Sequence, residues 1–398
     1  MRSCFMSEFN TEDITDRAGT GKPDLTNGFN INGSDSGISP HKHTESANEP
    51  SSPSNGDAWL DTDNNIYKVY IDGEWKDWLG TTAKLWYGDR AVRVGVGRAN
   101  PSQLTGSAAS VVPNNQIHRY DITTTGNAVD FKDRTVSAIR QGGCSNASNA
   151  YIFGGTTTGE NTSGAINTIE YFSISNSNNA ADFGDLSVVD KDGAAVSDGT
   201  YGIHSLGFQN SGSYSNTIEY ITMDTPGNAS DFGDRTVSGI LQSSVNNATR
   251  GCFAAGYDGS TLNTIDYITM GTSGNATDFG DLTVAGYGFD AGAGSGSGDR
   301  GLFGSMLGRN GTMDYITISN TGNATDFGDL FVGLSLDGFQ NRYGGGVSNA
   351  TRAVFSASAN SNVMQYVTMS TTGNAVDFGD QVSSTANDAQ CNVSGNAS

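Results

Sequence analysis

The chain has 398 residues, of which 54 are glycine and only 7 proline. Its formal net charge is −21. That glycine share is about twice the usual ~7 %, and the low proline count excludes a collagen or a Pro-rich linker. The acidic balance disfavours binding to a phosphate backbone. The abundance of Gly, Ser, Thr and Asn, with aromatics spread throughout, predicts many short strands joined by turns. No long stretch carries apolar residues at helical spacing.

Residues 1–52 read as an extended polar arm. The segment cannot bury enough apolar area to fold alone, and it reads equally as a disordered tail or as an arm that orders against partners. The N-terminus lacks the apolar core of a secretory signal, and no apolar run approaches the ~18 residues of a membrane span. These features predict a soluble chain made in a cytoplasm.

Residues 53–82 change character. Gly56–Trp78 reads GDAWLDTDNNIYKVYIDGEWKDW. Asp63-Asn64-Asn65 and Asp72-Gly73 are turn signals, the latter suited to a tight hairpin. A small three-stranded meander is expected, with Trp59, Tyr67, Trp75 and Trp78 as its apolar material. It would be marginal alone. All four tryptophans, Trp86 included, precede residue 87.

Residues 83–398 contain one unit of about fifty residues written six times. Its clearest copy runs NTIDYITM from Asn263 and GNATDFGD from Gly274. The phenylalanine recurs as Phe131, Phe183, Phe232, Phe279, Phe327 and Phe378. The tyrosine recurs as Tyr120, Tyr171, Tyr220, Tyr267, Tyr315 and Tyr366. The two are twelve residues apart in five copies and eleven in the first. A strand such as TRGCFAAG from Thr249 precedes each tyrosine strand. A further β-like segment, Leu282-Thr-Val for example, is expected after an Asp-Phe-Gly-Asp turn. Three to four strands in a unit of this length predict a six-bladed β-propeller, all-β, rather than a β-solenoid with its shorter coils. Ile265 and Tyr267 should face one neighbouring blade, Ile268 and Met270 the other. The last copy ends at NVSGNAS398, in the phase where Tyr87-Gly-Asp-Arg90 begins. Residues 381–398 are therefore expected in or beside the first blade.

Two features carry a resemblance. The text NTIDYIT…GNATDFGDL with a following TRG-x-F strand resembles the kelch-like repeats of virion structural proteins from marine tailed phages, cyanophages among them. Only Gly154-Gly155 keeps the kelch double glycine cleanly, so kelch-like describes architecture. The segment Gly56-Asp-Ala-Trp-Leu-Asp…Gly73-Glu-Trp75 is similar to a short β-module of phage tail-fibre proteins. The resemblance implies a virion appendage, tail fibre or adsorption protein. It would be synthesised in the host cytoplasm and held to other virion proteins through residues 1–80. Propeller loops would meet a host surface glycan or protein. It also implies a homo-oligomer, with a trimer as one form, although no coiled-coil heptads are present. A decoration protein with a purely structural role is the alternative, and a propeller hydrolase acting on host polysaccharide is a third reading.

Asp-Phe-Gly occurs without the other parts of a kinase. Each Asp-Phe-x-Asp pair, Asp182 and Asp185 for example, supplies only part of a calcium shell. It reads first as turn capping, with the phenylalanine plugging the blade edge. The Asn-x-Ser/Thr sites at Asn247, Asn275, Asn323 and Asn349 are carried by the repeat. Of the histidines, His41 and His43 lie in the arm, and His118 and His204 lie in different copies. Cys4, Cys144, Cys252 and Cys391 read as isolated reduced thiols. Glutamate is scarce in the repeats (Glu160, Glu170 and Glu219), and no sialidase boxes occur; a carboxylate pair for hydrolysis would need aspartates. No catalytic, cofactor or metal residue is assigned, no nucleic-acid or membrane partner is expected, and no enzyme is predicted. The loops Tyr257-Asp-Gly-Ser, Gly286–Phe289 and Gly338–Tyr343 differ most between copies and are the candidate binding elements.

Overall fold

The computed structural model describes residues 43–46, 48–61, 66–71, 73–77, 87–95, 98–99, 111–158, 164–209, 212–288, 292–293, 299–304, 311–331, 345–349, 351–356, 362–382 and 391–395. Among these, every regular element is a β-strand. The chain divides into two compact units, Met1–Thr82 and Ala83–Ser398. Residues 1–42, with Cys4 and His41, lie outside the described residues, as do Trp78, Trp86, Glu160 and the 338–343 loop.

The first unit holds a four-stranded sheet rather than the expected three-stranded meander. Its strands are His43–Ser46, Ala58–Asp61, Ile66–Ile71 and Glu74–Asp77, in that order. The first pair is parallel and the others antiparallel. His43–Ser46 comes from the segment read as the arm. Its polar sequence is no obstacle, because an open sheet edge bonds to backbone and not to side chains. Trp59 is buried. Its indole N–H donates to the Ser46 carbonyl at 2.9 Å, and its ring meets Trp75 edge-on at 5.5 Å.

The second unit contains six four-stranded antiparallel sheets. Sheet one pairs Cys391–Gly395, Arg90–Val94, Gln116–Asp121 and Val129–Asp133 in that order. Sheet two follows with Gly142–Ser145, Asn149–Phe153, Ile166–Ser173 and Ala181–Asp190. Sheet three has Ala194–Ser197, Tyr201–Ser205, Thr217–Thr222 and Ser230–Asp234. Sheet four has Ser243–Asn246, Arg250–Ala254, Thr264–Thr269 and Thr277–Asp281. Sheet five has Gly292–Ala293, Arg300–Phe303, Thr312–Thr317 and Thr325–Asp329; sheet six has Gly346–Ser348, Arg352–Ser356, Val363–Thr368 and Val376–Asp380. The C-terminal strand thus completes the first sheet, pairing Val393 with Val92.

Three sequence expectations change. The Asp-Phe-Gly-Asp text is the fourth strand of its sheet, not a turn. A bulge opposite Ile265 and Asp266 accommodates it, and Gly280 takes φ +146° there. Among the described residues, the β-like segment expected after it is not a separate strand, and only in sheet two does the fourth strand run on, to Asp190. The missing strand is instead the Gly/Ser-rich stretch read as a linker, now the first strand of each sheet. Its residues are small because neighbouring first strands approach closely. A Cβ on Gly346 would lie 2.5 Å from the Gly292 carbonyl, and one on Gly143 would lie 2.8 Å from Cys391 Sγ.

The third change concerns Tyr120. It pairs with Ala91, whereas Tyr267 pairs with Cys252. Arg119 therefore stands at the tyrosine position, and Tyr120 matches Ile268. The anomalous eleven-residue spacing arises from this offset, and Tyr120 is accordingly buried.

Each sheet packs face to face on the next. Ile265, with Tyr267 against it, joins a cluster containing Phe303 and Ile316 of sheet five. Ile268 and Met270 join Val196, Ile203 and Phe232 of sheet three. The same alternation buries Ala91 and Tyr120 of sheet one against Val354 and Met364 of sheet six. Removing apolar surface from water on both faces is the main stabilising term in such a stack.

Candidate functional site

Most of the chemically suggestive residues bind neighbouring sheets. The Asn of each Gly-Asn-Ala segment accepts a hydrogen bond from the last Asp N–H of the preceding sheet. Asn275 receives Asp234, Asn323 receives Asp281 and Asn374 receives Asp329, at 3.0–3.1 Å. Asn127 of sheet one receives Asp380 of sheet six at 2.9 Å. Asn247 and Asn349 also act structurally. Each Oδ1 closes a turn by accepting two backbone N–H groups. Each Nδ2 donates to a carboxylate on the next sheet, Asp299 at 2.8 Å and Asp89 at 2.7 Å. The amide nitrogens that glycosylation would modify at these two positions are thus already engaged.

The first Asp of each Asp-Phe-x-Asp element is exposed, while the phenylalanine is buried in all sheets but the first. Among the described residues no three His, Cys, Asp or Glu side chains converge as a metal site would require.

Glu170 and Glu219 occupy one position of the third strand, shared by Asp266, Asp314, Gln365 and His118. The acidic members are buried and latch the preceding sheet, at the end of its fourth strand or just beyond it. Glu170 accepts Thr135 N–H at 2.7 Å and Arg134 Nε at 2.6 Å. Glu219 accepts Ser187 N–H and its hydroxyl. Asp266 accepts Arg235 Nε at 3.0 Å, and Asp314 accepts Thr283 N–H at 2.8 Å. These carboxylates are committed to the scaffold and sit one per interface, so they do not form a hydrolytic pair.

His118 is buried in sheet one. The side chain of His43 is not described, only its place in a strand. His204 is fully buried, stacks on Phe153 at 5.0 Å and meets Asp190 through Nε2 at 2.9 Å. Burial raises the Asp190 carboxyl above its ordinary value, partly offset by His204 and by the Gly207 N–H at 2.7 Å. Sequence reasoning missed this pair because the first strand of sheet three, Ala194–Ser197, lies between its members, which belong to different sheets. Cys144, Cys252 and Cys391 are buried and form no disulfide among the described residues; burial pushes the Cys252 thiol up.

The first strands of all six sheets line a central depression with a volume of about 490 Å³, including open solvent. Its walls are mainly backbone and small side chains, among them Ser145, Ser197 and Ser394. These hydroxyls bond from sheet to sheet: Ser394 to the Ser348 carbonyl, Ser145 to that of Ser394, and Ser197 to that of Ser145, at 2.7–2.9 Å.

A different surface is built from side chains that do not recur in every copy of the repeat. The loops that follow the second strands of sheets three and four, and the segment after sheet four, bring Phe208, Tyr214, Tyr257 and Tyr287 into one row. Successive ring centroids are 6.0, 6.4 and 5.5 Å apart. All four rings are half-buried and pack on Ile139, Ile240 and Leu241 beneath. Lys191 Nζ stands 5.1 Å over the Phe208 ring, and the Arg140–Asp192 ion pair fixes the turn below at 2.5 Å. Two predicted loops, at Tyr257 and at 286–289, contribute to this row as far as they are described; Phe208 and Tyr214 were not singled out from the sequence. Their signal is position, since both fall in the inter-strand loop of sheet three that is equivalent to the Tyr257 loop of sheet four.

Comparison with known protein families gives no match for the chain, and neither does a search of curated proteins.

Proposed function

We propose that residues 83–398 form a six-bladed β-propeller used for surface recognition, carried on a virion appendage by the first unit. Cyclic contact supports the architecture: sheet six packs on sheet one, Asn127 bonds Asp380, and the C-terminal strand completes the first sheet. The aromatic row Phe208–Tyr214–Tyr257–Tyr287 carries the recognition reading. Rigid aromatic rings held half-exposed on loops offer large contact area at low entropic cost, as binding surfaces require. A host surface glycan or protein suits such a row. The virion setting rests on the resemblance of the repeat and of the Trp59–Trp75 module to phage structural proteins.

The test is binding of the purified full chain to host envelope fractions, with Tyr214→Ala/Tyr257→Ala alongside. Loss of at least tenfold in affinity for a folded double variant supports recognition through the row. Equal binding by the variant overturns it, and absence of binding with particles fragile in its absence favours a decoration role. Immunogold labelling of intact particles tests the virion placement separately.

A further inference from the structure

The second strand of each sheet opens on a residue that reaches toward the next sheet. In four sheets it is arginine. Arg250 lies 4.5 Å over the Tyr267 ring and donates to the Ile318 and Ser319 carbonyls at 3.2 and 2.7 Å. Arg300 lies over Tyr315 and donates to the Met369 carbonyl at 2.9 Å. Arg352 lies over Tyr366 and reaches the Ile122 and Thr123 carbonyls. Arg90 reaches the Ile174 and Ser175 carbonyls at 3.1 and 3.0 Å. In sheet two, Asn149 bridges instead to Asp224 at 3.1 Å. Each arginine slot thus combines an aromatic face with carbonyl oxygens at the end of the neighbouring third strand.

Between sheets three and four the slot is built but lacks its arginine. Tyr201 stands at the arginine position, edge-on to Tyr220 at 5.7 Å. By register the residues that match those supplying carbonyls in the other slots are Met270 and Gly271. A cleft of about 260 Å³, open-volume included, lies between Tyr201, Tyr220, Phe232, Gly271 and Ser273. Gly271 has φ +74°, and the nearest atom to a Cβ there would be Asp198 Oδ2 at 4.0 Å.

Asp198 is the second departure from the repeat. Sheets two, four and six carry Asn146, Asn247 and Asn349 at its position, and each donates Nδ2 across the junction. The Asp198 side chain has no N–H to donate. Its Oδ1 closes the local turn on Thr200 and Tyr201, leaving a carboxylate charge beside the cleft. Two substitutions at one junction have replaced a cation with a ring and an amide with an anion.

We propose that this cleft binds a guanidinium group supplied from outside, the arginine side chain of a partner protein. The aromatic face attracts a cation, and a guanidinium plane can lie over a ring while its Nη1 bonds two carbonyl oxygens, as Arg250 does within the chain; an ammonium ion has no plane to stack on the ring. The carboxylate of Asp198 adds charge complementarity.

The test titrates full-length protein, labelled with ¹³C in its tyrosine rings, with ethylguanidinium, and reads ring shifts by NMR. Saturable shifts confined to Tyr201 and Tyr220 are expected, with a Kd on the order of millimolar. Asp198→Asn should weaken binding several-fold. Tyr201→Arg restores the repeat residue and should abolish binding while its melting temperature stays equal or rises. In the converse variant, Arg300→Ala should lose melting temperature and regain part of it on adding ethylguanidinium. Equal binding of neutral ethylurea, tighter binding of ethylammonium, undiminished binding by folded Tyr201→Arg, or no saturation at about a hundredfold above millimolar overturns the proposal. None of these outcomes bears on the aromatic row, which lies on other loops.

Discussion

Gly280→Ala should open one junction of the second unit. The new Cβ would fall 2.5 Å from the Gly322 carbonyl oxygen of sheet five. Ordinary contact needs about 3.4 Å, so the two backbones must separate by nearly 1 Å. Three hydrogen bonds span that gap: Gly322 N–H to the Phe279 carbonyl and Ala324 N–H to that of Asp281, both 2.8 Å, and Asp281 N–H to Asn323 at 3.0 Å. At roughly 1 kcal/mol each they contribute ~3 kcal/mol. Alanine at φ +146° adds about 1 kcal/mol of backbone strain. The sum, ~4 kcal/mol, corresponds to a fall of roughly 8–15 °C in melting temperature for a domain this large. Gly322→Ala is the control: its φ is +155°, but nothing lies within 4 Å of the added carbon, so the cost should stay near 1 kcal/mol. Thermal and urea unfolding followed by circular dichroism measure both. If the two variants melt together, the close approach is not what fixes glycine here. Sheet one supplies a natural counterpart. It has Lys132 at this position, with no positive φ, and its ammonium bonds the Ser173 and Asn176 carbonyls of sheet two at 2.5 and 2.6 Å.

Asp266→Ala leaves the fully buried Arg235 without its carboxylate; a loss of about 3–5 kcal/mol is expected by urea unfolding, and a loss below 1 kcal/mol would refute the latch. Deleting residues 391–398 removes the first strand of sheet one with buried Cys391 and Val393, so the melting temperature should drop sharply or cooperativity vanish; an unchanged melt sinks the closure. Arg352→Ala should cost about 1–3 kcal/mol through its carbonyl bonds and the ring contact with Tyr366, read by the same melts. The raised Asp190 carboxyl favours its protonated form in the fold. Its contribution is therefore complete below the unfolded value of 3.8 and is lost as pH rises through the folded value. Wild type should lose stability relative to Asp190→Asn as pH rises from 3.8 to the folded value, and a pH-independent difference contradicts the assignment.

The repeat in the sequence determined the all-β class, the six-fold count and the burial of Phe183, Phe232, Phe279, Phe327 and Phe378. Those follow from periodicity, because a residue needed at every interface must recur at every copy. Alternation along Ile265–Met270 likewise revealed that both faces of the strand are covered. What the sequence hid was set by contacts between copies. The first strands read as linkers because their glycines and serines answer to a neighbour's backbone and not to any local propensity. His43–Ser46 joined a sheet through backbone pairing with Ala58–Asp61. Asp190 and His204 met only once the sheets stacked.

The same reasoning applies to function. Asp, Asn and Glu residues that look reactive in a line of text recur because they satisfy polar groups at each junction. Departures from the repeat had to be located in space before they carried meaning: Tyr201 and Asp198 are unremarkable in sequence, yet they share one cleft. Phe208, Tyr214, Tyr257 and Tyr287 come from three separate segments and form a row only where the loops of adjacent sheets converge. Sequence dictated which residues the scaffold repeats; tertiary packing decided which were left over, because only packing shows where a junction is already satisfied.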